Sequence, residues 1–277
     1  MSSESDEHHS ALNELEEIIN LQVHPLSDSD YRTTCKQALD NEGVLVLKGF
    51  LSQATINSIK ADGDANQHEA FFTSSDHNVY LQPHSSDYAS DHPRNRSIRS
   101  SKGCITTDQI PATSKLHALY ENELLKNFLC AVLDEDALYE YADSLSSINL
   151  HYAAEDQELG WHFDNSSFAI TLLIQKPEGG GQFEYVRDIR NADNGDMNYD
   201  SVGAVLDGHT ATQQLDIQPG DLVLFRGRNS LHRVTPTIGD QCRMLVVLAY
   251  NSKPGVVLSE SARLTFYGRL GTVSNSL

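Results

Sequence analysis

Pro219-Gly220-Asp221-Leu222-Val223-Leu224-Phe225-Arg226-Gly227-Arg228-Asn229-Ser230-Leu231-His232-Arg233-Val234 is a tight turn, an apolar run, a polar turn and a second short run that opens on a lone histidine. The apolar run is too short for a helix and rich in branched and aromatic residues. It therefore predicts a buried strand that turns back into a neighbour. The same grammar recurs on both sides: further β-rich runs cover residues 147 to 152, 168 to 175, 181 to 186, 214 to 217, 231 to 235 and 243 to 250. Pro177-Glu178-Gly179-Gly180-Gly181 and Ile238-Gly239-Asp240 supply turn chemistry between them.

The first half reads differently. Residues 1 to 10 are acidic, polar and expected to be disordered, and Leu12, Leu15, Ile18 and Ile19 recur at helical spacing after them. Residues 43 to 50 predict a short buried strand, and Ser52 is placed to cap a helix from Gln53 that carries Ile56 and Ile59 on one face. Residues 73 to 111 turn to Ser, Asp, His, Asn and Pro with no period, which suits a lid or binding loop as well as a solvated one. Helical spacing returns through Leu116, Leu119, Tyr120, Leu124, Leu125, Phe128, Leu129 and Leu133, then Leu138 and Tyr141. Helices first and many short strands afterwards predict a mainly β domain, an antiparallel sandwich or barrel supported by helices on one side.

The 277 residues suffice for one such domain, expected over 11 to 277, with helical support and the polar segment (11 to 146) ahead of a β core (147 to 255). A formal net charge of -19 repels phosphate backbones and argues against a nucleic-acid partner. No apolar run reaches membrane-spanning length, and no signal peptide is visible. Cys35, Cys104, Cys130 and Cys242 are scattered, which suits reduced thiols and a cytoplasmic protein acting on a small molecule.

The chemistry concentrates in Trp161-His162-Phe163-Asp164. At a strand edge, a period of two puts His162 and Asp164 on one face and Phe163 on the other, so an imidazole and a carboxylate can reach one metal. Alone this is weak, because H-x-D arises by chance in a chain with 12 His. His232 can supply the third ligand. Two His and one carboxylate leave positions open on iron(II), the arrangement of non-haem iron oxygenases. Arg243 opens the apolar run Met244 to Tyr250, where a buried guanidinium needs an anion and its fork suits the distal carboxylate of 2-oxoglutarate. Tyr152, ten residues before His162, either donates to that carboxylate or is satisfied by backbone.

In order and spacing, Tyr152, His162-Phe163-Asp164, His232 and Arg243 resemble the jelly-roll (double-stranded β-helix) iron(II)/2-oxoglutarate dioxygenases. His77-Asn78-Val79-Tyr80-Leu81, His92-Pro93-Arg94-Asn95, Gly180 to Val186, Leu222 to Arg228 and His232 to Pro236 resemble the branch of free amino-acid halogenases and related hydroxylases. The resemblance spans roughly residues 43 to 255. It implies an enzyme that uses Fe(II), O2 and 2-oxoglutarate to oxidise a C–H bond of a small polar, amino-acid-like metabolite, with no catalytic side chain beyond the metal ligands. Halogenases of that branch carry Gly or Ala where this chain has Asp164, so hydroxylation is the expected outcome. Desaturation, cyclisation and C–N cleavage are open to the same chemistry. Leu245 departs from members that place a Ser two residues after the arginine. Arg94, Arg96 and Asn165 are the candidates for holding substrate, against a reading as surface residues that balance an acidic chain. Two other readings compete: a non-catalytic jelly-roll metal-binding module, and a cupin-like metalloenzyme that does not use 2-oxoglutarate.

Overall fold

The computed structural model describes residues 15–274. The expected disorder of residues 1 to 10 lies outside them, while Leu15, Ile18 and Ile19 are buried against the core. Every strand pairing is antiparallel. The main sheet runs in the order β1 (Val44–Leu47), β10 (Leu222–Phe225), β6 (Ala169–Gln175), β13 (Arg243–Leu248), β4 (Ile148–Ala153), β3 (Ile98–Ile105), β5 (Leu159–His162), β11 (Leu231–Val234), β8 (Phe183–Val186) and β9 (Gln213–Leu215). β2 (Phe71–His77) adds to β3, and β7 (Gly179–Gly180) pairs with β12 (Thr237–Ile238). The sheet curls on itself as a half-barrel with helices outside it, the jelly-roll core expected above.

Alternation decides what lies inside. Ile148, Leu150 and Tyr152 of β4, Ile170, Leu172 and Ile174 of β6, and Met244, Val246 and Leu248 of β13 face the helices in one continuous core. Each such aliphatic side chain stabilises by about 1.5–3 kcal/mol when fully buried. The helix Gln53–Asn66, capped by Ser52 as expected, packs here. Gly63 lets it come close, because a Cβ there would lie 2.7 Å from the Met244 Sδ and 2.8 Å from Leu150. The helices Ser29–Glu42, Lys115–Glu121 and Glu123–Leu133 complete the layer. The opposite face of the sheet, with Leu173, Val223, Phe225 and Tyr185, lines the inside of the roll.

Two expectations are corrected. Residues 73 to 111 are not irregular throughout, since they contain most of β2 and all of β3. β2 is largely exposed and shows no apolar alternation, and period-based reading finds strands only where one face is buried. The helical spacing beyond Leu133 does not continue: Asp134 takes a left-handed conformation (φ 65°) that ends the helix, and Leu138 is buried from a loop. The short helices Tyr199–Leu206 and Glu260–Tyr267 went unpredicted, as did Ser29–Glu42, whose buried face is only Cys35 and Leu39.

Candidate metal centre and adjoining cavities

β5 and β11 are neighbours, and His162 lies directly opposite His232 in their register. Directly opposed residues share a face, so both imidazoles enter the roll with ring centroids 4.1 Å apart. Trp161 of β5 and Phe163 just past it point away from the imidazoles and pack with Tyr80, Val202 and Leu231 in a separate apolar cluster that anchors the strand end. Beyond β5 the chain is held by two backbone bonds: Phe163 N–H donates to the Val79 carbonyl (2.9 Å) and Asp164 N–H to that of Gly227 (3.1 Å).

These constraints bring the carboxylate to the imidazoles. Asp164 Oδ1 lies 3.7 Å from His162 Nε2 and 3.5 Å from His232 Nε2, and the three ligand atoms fall within 4.8 Å of one another. Each histidine spends its Nδ1 on a backbone carbonyl two residues back, His162 on Gly160 (2.8 Å) and His232 on Ser230 (2.9 Å). That fixes the tautomer and leaves Nε2 as a lone pair aimed at the common point. Asp164 Oδ2 is buried without a hydrogen-bond partner. Burial, then the neighbouring His232, pushes His162 down to about 3. Burial works against charge on Asp164 as well, yet its carboxyl lies below its ordinary range. Neutral imidazoles and an ionised carboxylate are the states that bind metal. A partnerless buried oxygen, two preset Nε2 atoms and this donor set fit a facial two-histidine, one-carboxylate iron(II) site. Gly227 closes its back wall: a Cβ there would overlap the Asp164 carboxylate and lie 2.9 Å from His232 Cε1.

Arg243 enters the roll from β13. It is buried, and its guanidinium makes no hydrogen bond or ion pair with any described residue. Burial lowers it to about 10, which leaves it positive at neutral pH. The left-handed Gly181 packs on its stem, where a Cβ would lie 3.1 Å from Arg243 Cδ.

Tyr152 is not beside it. Tyr152 lies on the helix-facing side of β4, and its hydroxyl donates to the Gly63 carbonyl at 2.7 Å. One residue of register separates the two faces of a strand, so His151 takes the interior position instead, directly across from Leu245. Lys102 Nζ of β3 sits 3.2 and 3.4 Å from the two ring nitrogens of His151. Burial, then Lys102 and Arg243, keeps His151 far below its ordinary value, hence neutral and able to accept from Lys102, whose own amine burial pushes down. Sequence reasoning missed Lys102 and His151, although the alternation that excludes Tyr152 would have selected His151.

On the other side of Asp164 opens a cavity of about 180 Å³ lined by Tyr80, Arg94, Asn165, Arg190 and Tyr199 among others. Two of the three residues expected at the substrate are here. Arg96 is not: it pairs with Asp207 at 2.6 Å, and a half-buried loop arginine in an acidic protein readily finds such a partner. Arg190, absent from the expectation because no period marks it, is buried with its guanidinium 3.9 Å from the centre of the Phe163 ring.

The sequence profile of halogenase D (HalD) matches residues 27–263. The chain belongs to the halogenase D family. This family membership makes it an enzyme of the iron(II)/2-oxoglutarate oxygenase type, with Fe(II) and 2-oxoglutarate as its cofactors. Among solved structures, the halogenase D family chain is similar in fold to the α-ketoglutarate-dependent epimerase SnoN from nogalamycin biosynthesis (TM-score 0.56, 9% identity, 80% of this chain and 84% of that one). It is similar also to AviO1 from Streptomyces viridochromogenes Tue57 (0.55, 14%, 82% and 97%) and to the carbocyclase SnoK from nogalamycin biosynthesis (0.54, 12%, 88% and 93%). A search of curated proteins returned no match. Among the described residues no helix is long and apolar enough to cross a membrane.

Proposed function

We propose that this halogenase D family member hydroxylates an unactivated C–H bond of a small polar, amino-acid-like metabolite. The observation that carries this reading is Asp164, aimed between His162 and His232 with one oxygen still without a partner. A halide needs a coordination position of its own, and a carboxylate tethered at that position competes with it at high effective concentration. When bound, iron(II) with 2-oxoglutarate and dioxygen supplies the oxidising power, with 2-oxoglutarate leaving as succinate and carbon dioxide.

The chain's own residues orient and neutralise. The Gly160 and Ser230 carbonyls hold the two imidazoles in the tautomer that presents Nε2. Arg243, a buried fork with no partner among the described residues, is suited to the distal carboxylate of 2-oxoglutarate. Lys102, beside neutral His151, adds a second nitrogen donor to that end of the roll, where Leu245 offers no hydroxyl. Arg94 and Asn165 border the cavity at Asp164 and are placed to orient a substrate there. The four thiols are all unpaired, in keeping with a cytoplasmic enzyme.

Succinate release from 2-oxoglutarate, with iron and ascorbate across a panel of free amino acids and small organic acids, tests the proposal. A substrate-dependent rise that Asp164→Ala abolishes is the expected result. Equal release by Asp164→Ala would contradict it.

A further inference from the structure

The cavity beside Asp164 has a charge opposite to that of the protein. The chain has 39 acidic against 20 basic residues, and among the described residues several arginines outside the cavity are paired with a carboxylate. Arg96, Arg187, Arg226, Arg228, Arg233 and Arg269 each hold one. Arg94 and Arg190, both lining the cavity, hold none among the described residues. Arg94 donates through Nη1 to the Pro83 carbonyl at 2.9 Å. Arg190 donates through Nε to the Arg228 carbonyl at 2.8 Å, and its Nη1 reaches only the Met197 sulfur, at 3.9 Å. Arg190 is 9% exposed and stacked on Phe163, the residue between two of the metal ligands, so the guanidinium is fixed in place. Among the described residues the only carboxylate lining the cavity is Asp164, which is committed between the imidazoles.

A fixed guanidinium with unused N–H groups in a partly buried site is stabilised by an anion and destabilised by a cation. Two of them, with no carboxylate to receive an ammonium side chain, select for two acidic groups. Resting on the function proposed above, we infer that the substrate is a small molecule with two carboxylates, either an acidic amino acid or a simple dicarboxylate, and that Arg190 and Arg94 bind one acidic group each. Basic amino acids are excluded by the same two charges.

The test uses the full chain loaded with Mn(II) and saturated with 2-oxoglutarate, so that the barrel site is filled and no turnover occurs. Isothermal titration follows with L-glutamate, L-aspartate, glutarate, L-leucine and L-lysine. At least one diacid is expected to bind at least about tenfold more tightly than leucine, with no measurable binding of lysine. Glutamate against glutarate separates the amino acid from the simple dicarboxylate. Arg94→Gln, at a half-buried position that leaves the Phe163 stack intact, and Arg190→Gln should each weaken the diacid about tenfold or more, with 2-oxoglutarate binding unchanged. Lysine binding as tight as the best diacid, no diacid binding at all, or diacid binding untouched by both variants would overturn the inference. The oxygenase reading fails on a separate readout, a titration of the Mn(II) protein with 2-oxoglutarate alone.

Discussion

His162 and His232 face each other across the β5–β11 ladder with ring centroids 4.1 Å apart, and each is pinned through Nδ1 to the carbonyl two residues before it. One strand pairing thus supplies two thirds of the metal site, and the chain just past β5 supplies the rest. The two Nε2 atoms are preset before any metal arrives, which lowers the ordering cost of binding.

Replacing either histidine by alanine should therefore remove metal binding with little loss of fold. The expected fall in Mn(II) or Fe(II) affinity exceeds the about 10–100-fold typical of losing an outer hydrogen bond. Metal stoichiometry after dialysis, with thermal unfolding in parallel, measures both effects. Full metal occupancy in His232→Ala would show that the ligand set is different.

Gly227→Ala changes no ligand and should still disable the site. A Cβ would overlap the Asp164 carboxylate and press on His232, and displacements near 1 Å at a reacting centre cost about 100-fold in rate. Turnover and metal affinity should both drop while far-UV circular dichroism stays unchanged. Wild-type turnover would mean that Asp164 can move aside without consequence.

Tyr152→Phe separates stability from co-substrate binding. The phenol donates to the Gly63 carbonyl on the helix side, so its loss should cost about 1 kcal/mol of unfolding free energy. Affinity for 2-oxoglutarate should not change. A selective rise in the 2-oxoglutarate Kd would put the Tyr152 hydroxyl inside the roll.

The contrast between Tyr152 and His151 marks the limit of what the sequence reveals. The apolar runs around Leu222 and Met244, the turns between them and the ordered ligands His162, Asp164 and His232 were legible, because burial and metal geometry both impose strict periods. The face occupied by Tyr152 depends on a one-residue register, which H-x-D spacing does not determine. β2 and β3 carry too little apolar alternation to be seen, and Lys102 sits on one of them. Arg190 and Arg96 look alike as loop arginines. Only the fold places one on Phe163 and the other on Asp207.

Arg243→Lys keeps the charge but loses the paired donors, so 2-oxoglutarate affinity should fall about tenfold or more while metal affinity holds. Calorimetry of the Mn(II) protein with 2-oxoglutarate measures it. An unchanged Kd would assign the distal carboxylate to Lys102 instead.

The central claim, that Asp164 occupies the position a halide would take, is tested most directly by mass spectrometry of the product formed by the unmodified enzyme under ¹⁸O₂ in high chloride. The account predicts a product that carries one oxygen atom from dioxygen and no chlorine, with the second labelled atom in succinate. A chlorinated product would contradict it.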